Sequence, residues 1–250
     1  MNKLTERVLC VGVSGLILFS VAALVQGTKK CYANPVRNRA ASRVKPYADS
    51  FKEFTNIDEA RAWGDKQFAK YKLSSSEKNA LTIYTRNAAR INGPLRANQG
   101  NTNGLPADIR KEVEQIDKSF TKMQTPENII LFRGDDPGYL GPDFENTILN
   151  RDGTINKAVF EQVKLRFKGK DRKEYGYIST SLVNGSAFAG RPIITKFKVL
   201  DGSKAGYIEP ISTFKGQLEV LLPRSSTYTI SDMQIAPNNK QIIITALLKR

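Results

Sequence analysis

The sequence predicts an α+β domain, on three observations. Apolar residues recur at helical spacing through residues 56–122. Beyond residue 128, short apolar or alternating runs bounded by Gly, Pro, Asn and Asp dominate, as strands do. No long linker interrupts residues 50–250, so they read as one domain, with helices first and strands later rather than alternating βαβ units.

Taken in order, residues 1–33 have the form of a secretory signal. Lys3 and Arg7 supply the basic start, residues 8–25 are almost unbroken apolar sequence, and Cys31-Tyr32-Ala33 offers a small residue before a cut. A retained membrane anchor is the alternative, since that run is near the lower limit of roughly 17 residues for a spanning helix. The polar segment 26–30 favours cleavage. Residues 34–49 hold Arg37, Arg39, Arg43 and Lys45 with Pro35 and Pro46, and read as a loose basic arm. Asn56 is placed to cap a helix over 56–71 whose buried side is Ile57, Ala60, Trp63 and Phe68. Ser74-Ser-Ser-Glu77 fits a capping box and opens a helix with Leu81, Tyr84, Ala88 and Ile91 in the core. Asn92-Gly93-Pro94 is expected to end it. Residues 99–106 are an Asn/Gly-rich loop. A third helix runs over 106–122, with Pro106 in its first turn and Ile109, Val113, Ile116 and Phe120 inward. A strand follows at 128–135, then a Gly/Pro/Asp loop and an amphipathic helix at 156–167. Further strands are predicted at 175–182, 192–200, 205–208, 217–222, 227–230 and 241–247.

Composition narrows the chemistry. The chain has no histidine, which excludes Ser-His-Asp and Cys-His systems and His-based metal sites. Acid–base work falls to Asp, Glu, Lys or Tyr, and no metal is expected. Both cysteines, Cys10 and Cys31, lie in the predicted signal, so the processed domain carries no thiol and suits a reducing cytosol as well as an oxidising exterior. Removing the four Lys/Arg and one Glu of residues 1–33 takes the net charge from +15 to +12. Basic and acidic residues are interspersed rather than blocked. That pattern predicts a solvated basic surface that steers phosphate-bearing ligands, not a nucleic-acid binder.

Four polar stretches interrupt the strand pattern. Arg133 follows Ile129-Ile-Leu-Phe132 and precedes Gly134-Asp135-Asp136; it is either a phosphate clamp or the partner of one of those aspartates. Ser179-Thr180-Ser181 lies mid-strand, with Ser179 and Ser181 on one face, so two hydroxyls could hold a carboxylate; such tracts also occur as ordinary strand faces. Phe188-Ala-Gly-Arg191-Pro192 puts an aromatic face and a cation on one short loop, suited to a flat ring and a phosphate, or merely anchors that loop. The stretch 209–222 passes from a loop into a strand. Alternation puts Gln217 and Glu219 on one face and Leu218, Val220 and Leu222 on the other; taken alone, the polar pair reads as the wet face of a half-buried strand.

In this order the four stretches resemble the clostridial Rho-inactivating exoenzymes, a branch of the bacterial mono-ADP-ribosyltransferase toxins. The likeness spans residues 51–247. Besides those stretches it rests on Glu53-Phe-Thr-Asn-Ile57, Thr125-Pro-Glu-Asn128 and Tyr84-Thr-Arg-Asn-Ala-Ala-Arg-Ile-Asn-Gly93. The resemblance implies two packed, roughly perpendicular sheets flanked by helices. It implies NAD as co-substrate and transfer of ADP-ribose to an asparagine of a Rho-family small GTPase. It makes Glu219 the catalytic carboxylate, Gln217 the group that meets the acceptor amide, and Phe214 the loop aromatic that touches the GTPase. Arg133, Gly134 and Ser179 become NAD-binding and Glu-holding positions, Thr85, Asn92 and Arg96 helical NAD-binding positions, and Phe188 and Arg191 the loop that holds phosphate and nicotinamide. A transferase directed at another target, such as actin, is expected to carry Glu at 217. A secreted basic binder of nucleic acid or anionic surfaces would explain the charge but not the four stretches. The combined expectation is a secreted monomer that acts in the cytosol of a target cell, without a nucleic-acid partner and without stable membrane association once the signal is removed.

Overall fold

The computed structural model describes residues 50–188 and 190–250. The predicted signal and basic arm lie outside the described residues. Four helices come first: α1 Ile57–Phe68, α2 Ser75–Arg86, α3 Ala88–Ala97 and α4 Ala107–Ser119. Then come β1 Ile129–Asp135, the short α5 Pro142–Glu145 and α6 Lys157–Phe167. The remaining strands are β2 Asp171–Glu174, β3 Ile178–Ser181, β4 Ile193–Val199, β5 Gly206–Tyr207, β6 Glu219–Leu222, β7 Ser226–Ile235 and β8 Ile242–Leu248. No helix among the described residues is long and apolar enough to cross a membrane.

Local chemistry sets the helix starts. Asn56 Oδ1 accepts from the N–H groups of Asp58 and Glu59 at 2.8 and 3.0 Å. The Ser74/Glu77 capping box is present, and Glu77, fully buried, is neutralised by Lys122 at 2.7 Å. Four expectations fail here. The predicted second helix is two helices, broken at Asn87, whose side chain caps α3 by accepting from Arg90 N–H at 3.2 Å. Asn92-Gly93-Pro94 does not end a helix but sits inside α3, because Ile91, Asn92 and Leu95 are all buried. Their burial outweighs the cost of an interior proline, about 3 kcal/mol. Pro106 caps α4 rather than lying in its first turn. Ile57, expected in the core, is 49 % exposed, and Gly64 takes the buried face of α1 against the ring of Tyr207.

The strands run in the order β2-β7-β8-β4-β1-β3-β6-β5. β1–β4, β7–β8 and β3–β6 are antiparallel, while β4–β8 is parallel. The two halves, β2-β7-β8-β4-β1 and β3-β6-β5, join through one register pair, Phe132 opposite Ser181. Their inner faces meet in a shared core. Leu131, Phe197, Ile230, Ile244 and Ala246 come from the first half; Ile178, Val220, Leu222 and Tyr207 come from the second. The other face of β6 gives Leu221 to a second core, built with α2, α3 and α4 from Leu81, Tyr84, Ile91, Val113 and Ile116. Every residue of β6 is therefore buried. β2 was not predicted. Its sequence Asp-Arg-Lys-Glu is that of a charged edge strand, which pairs only with β7 and has no apolar alternation to read.

One polar joint ties the helical layer to β3. Asn92 Oδ1 accepts from Tyr177 N–H at 2.9 Å, and its Nδ2 donates to Tyr177 C=O and to Tyr84 Oη, both at 3.1 Å. Gly176 makes room for it, since a Cβ there would lie 2.7 Å from Asn92 Oδ1. Gly176→Ala is therefore expected to lower stability by about 1–3 kcal/mol, by overpacking and displacing that amide. Denaturant unfolding checks this; an unchanged midpoint would show that the joint has slack.

Candidate active site

The site forms where the two sheet halves meet. Arg133 follows the buried part of β1, Ser179 lies in β3, and Glu219 opens β6. Register brings them together: Ser181 pairs with Phe132 on one side and with Glu219 on the other. These residues line a cavity of about 220 Å³ with Gly134, Asp135, Asp136, Ser181, Phe188, Arg191 and Gln217.

Glu219 is only 6 % exposed, and the Ser179 hydroxyl is near enough to favour its ionised form. Burial, the largest effect, pushes its pKa up to about 7, and the charge of Glu209 adds to this. The Ser179 hydroxyl and the Arg133 guanidinium pull the other way. Ser179 is itself held from behind by Tyr84 Oη at 3.2 Å. The Tyr84 phenol is pushed up to about 12 by burial, so it stays neutral. A chain of polar groups thus runs from Asn92 through Tyr84 and Ser179 to the carboxylate.

Arg133 is the partner of an aspartate, the second of its two sequence readings. Its Nε donates to both Asp135 oxygens at 3.0 Å, and its Nη1 donates to the Ser179 carbonyl at 3.0 Å. The guanidinium is therefore fixed in plane at the cavity wall. Burial alone would lower its pKa, but Asp135 outweighs that and holds it above the ordinary arginine value. Gly134 lets the next loop close in, because a Cβ there would lie 2.5 Å from the Phe188 carbonyl oxygen. Phe188 is 56 % exposed at a φ of +53°, with the Arg191 guanidinium 5.6 Å from its ring centre and paired to Asp136.

Two expectations about the polar pair are corrected. Gln217 is not in the strand, which begins at Glu219, and Leu218 between them has a φ of +50°. The two side chains reach one cavity because a left-handed residue turns the chain, not because they alternate on a wet face. Nor do both serines hold the carboxylate. Ser179 does, while Ser181 Oγ donates to the Gln217 carbonyl at 2.7 Å, as does Ser186 at 3.1 Å.

The remaining predicted positions surround the cavity. Arg96 lines an adjoining cavity of about 460 Å³ that shares Arg133, Asp135 and Asp136, and it is paired to Glu174 at 2.9 Å. Asn92 and Thr85 line neither. Asn92 acts through Tyr84, and Thr85 Oγ1 accepts from Thr213 N–H at 3.1 Å, steadying the loop on which Phe214 stands 52 % exposed. Sequence reading placed Tyr84 only in the core and assigned nothing to Tyr139 and Arg172, which line the adjoining cavity. Their helical and charged-strand contexts carry no signal for a site. Among the described residues no group of three or more His, Cys, Asp or Glu is placed to hold a metal ion.

The chain and its fold match known proteins. The family model described as ADP-ribosyltransferase exoenzyme matches residues 60–250. The chain is 60 % identical to the mono-ADP-ribosyltransferase C3 of Clostridium botulinum C phage over 249 residues, 99 % of each chain. The crystal structure of the Clostridium limosum C3 exoenzyme superposes with a TM-score of 0.78 at 97 % identity, over 82 % of this chain and 100 % of that one. The C3stau2 structure from Staphylococcus aureus, solved with NAD, gives a TM-score of 0.76 at 34 % identity over 80 % and 99 % of the two chains. The chain belongs to the ADP-ribosyltransferase exoenzyme family and is an NAD-dependent ADP-ribosyltransferase.

Proposed function

We propose that the enzyme transfers ADP-ribose from NAD to an asparagine of a Rho-family small GTPase, inactivating it. In this reading NAD hydrolysis is a side reaction, and the protein is secreted to act in the cytosol of a target cell. The observation that carries the acceptor is the pairing of a carboxamide, Gln217, with a buried carboxylate, Glu219, on one cavity wall.

The chemistry follows from the groups present. The bond between nicotinamide and ribose breaks with its electron pair leaving on the nicotinamide, which becomes neutral, so no general acid is needed. The sugar passes through an oxocarbenium-like state, as in glycoside hydrolysis. A carboxylate about 4 Å from that charge, at an effective dielectric near 20, stabilises it by roughly 4 kcal/mol, or about three orders of magnitude in rate. Glu219 has this role. Its raised pKa records the desolvation that strengthens its field, while the Ser179 hydroxyl and the Arg133 charge favour its ionised form. Arg133 and Arg191 meet the diphosphate, and Phe188 faces the nicotinamide. The acceptor amide nitrogen bonds to the anomeric carbon and releases its proton to water. The Gln217 carboxamide donates to the acceptor carbonyl and accepts from its NH₂, so it places the nucleophile rather than deprotonating it. Phe214 gives the GTPase an exposed aromatic anchor beside this point. A thiol-free processed domain and an apolar leader with a basic start support secretion followed by action in a reducing compartment.

Glu219→Gln is expected to lower both transfer and NAD hydrolysis by at least about a hundredfold with NAD binding retained. Turnover near the unmutated rate would remove Glu219 from the mechanism. Gln217→Glu should spare NAD hydrolysis while abolishing modification of asparagine; mass spectrometry of a Rho GTPase incubated with NAD reads this, and undiminished asparagine labelling contradicts it. Because the folded carboxylate has its pKa raised to about 7, its negative charge is lost as pH falls through that value rather than near the ordinary 4.5. The kcat/KM for NAD hydrolysis should therefore climb with a midpoint near 7 and level off above it. A profile flat between about pH 5.5 and 8 would show that ionisation of Glu219 is not required.

A further inference from the structure

Glu209 is 2 % exposed and lines neither cavity of the site. It opens the short 3-10 turn Glu209–Ile211, ten residues before Glu219. Its two carboxylate oxygens are divided between two backbone donors on the far side of the loop. Oε1 accepts from Gly216 N–H, and Oε2 accepts from Leu218 N–H at 2.9 Å. Gly216 and Leu218 are the two left-handed residues of that loop, at φ values of +89° and +50°, and they flank Gln217. The opposite edge of the same turn is tied to β3 by Ser181 on the Gln217 carbonyl, and Leu182 N–H donates to the Leu218 carbonyl at 3.2 Å.

We propose that Glu209 is a positioning residue for the transfer reaction, its buried carboxylate clamping the Gly216–Leu218 turn in the one backbone conformation that sends Gln217 and Glu219 into the same cavity. The inference rests on the reading of Glu219 and Gln217 given above. The reason is chemical. A carboxylate offers two acceptors and no donor, so it satisfies both N–H groups at once, and a carboxamide does not. Charge-assisted bonds to backbone N–H are also stronger than neutral ones. The clamp is secured in turn: the Arg61 guanidinium from α1 lies 3.6 Å from Oε1, and Lys215 Nζ folds back onto the carbonyls of Glu209 and Pro210 at 2.8 and 2.9 Å. Around Glu219 itself stand the Ser179 hydroxyl and Tyr84 phenol, the Arg133 cation and the Glu209 anion. Glu209 thus acts on Glu219 twice, by holding its turn and by opposing its ionisation.

Two variants separate these effects from a merely structural one. Glu209→Gln puts an NH₂ opposite one of the two N–H donors and removes the negative charge. Its kcat for NAD hydrolysis should fall at least about tenfold while KM for NAD stays within about twofold. The acid limb of its pH profile should move to lower pH, because an anion near Glu219 is gone. Glu209→Asp keeps the charge but is one methylene too short to reach both donors. It should lose kcat similarly with the acid limb unmoved. Unchanged kcat in both variants overturns the proposal. So does a loss accompanied by the same acid limb in both, or failure of both to fold, since the carboxylate would then be an element of the fold alone. Glu219→Gln assayed alongside keeps the outcomes distinct. If that variant turns over normally, the reading of Glu219 has failed; if it is inert while both Glu209 variants behave as the unmutated enzyme, only the clamp has.

Discussion

A carboxylate held at 6 % exposure costs folding free energy unless polar groups replace its water, and the interior of this protein is arranged around that requirement at Glu219. The Ser179 hydroxyl supplies part of the replacement and the charge of Arg133 favours the ionised form, and each is itself supported: Ser179 by Tyr84, Tyr84 by Asn92, Arg133 by Asp135. The helices α2 and α3 therefore do more than cover a sheet. Their buried faces carry the chain of polar groups that ends at Glu219. The supply is partial, which is why burial still raises the pKa of Glu219.

The cations around the cavity follow a related logic. Arg133, Arg191 and Arg96 are each paired with an acidic side chain, Asp135, Asp136 and Glu174. Pairing fixes the guanidinium planes, so an anion that met them would order them at a smaller entropic cost. It also keeps a chain of formal charge +15 from gathering an unrelieved positive field at one point. Of the sequence alternatives for Arg133, the pairing with an aspartate is the one seen, at Asp135.

The junction of the two sheet halves explains why the site lies there. Only Phe132 and Ser181 pair across it, so β1 and β3 diverge on either side, and side chains from Arg133, Ser179 and Glu219 enter the gap. The turn before β6 completes the wall. Its Leu218 holds a left-handed conformation that costs an L-residue roughly 1–2 kcal/mol, and the fold supports it with hydrogen bonds on both edges.

Much of this was legible in the sequence. Helix caps at Asn56 and Ser74, the order of helices and strands, the absence of histidine chemistry and the four polar stretches are local properties, written in residue types at fixed spacing. Arg133, Ser179, Phe188, Arg191, Gln217 and Glu219 stood out because they break the apolar strand pattern or its loops, and their roles came only from the family resemblance. What sequence misplaced depends on distant partners. Burial of Ile91 and Leu95 carries a helix through Pro94, and pairing with β7 makes a strand of Asp171–Glu174. The carboxylate of Glu209 and the hydroxyl of Ser181 set a left-handed Leu218 that no alternation rule contains. The chain by itself determined which groups were available to the chemistry. Only the tertiary structure decided which of them meet, because the backbone turn that aims the decisive pair is held from outside its own segment.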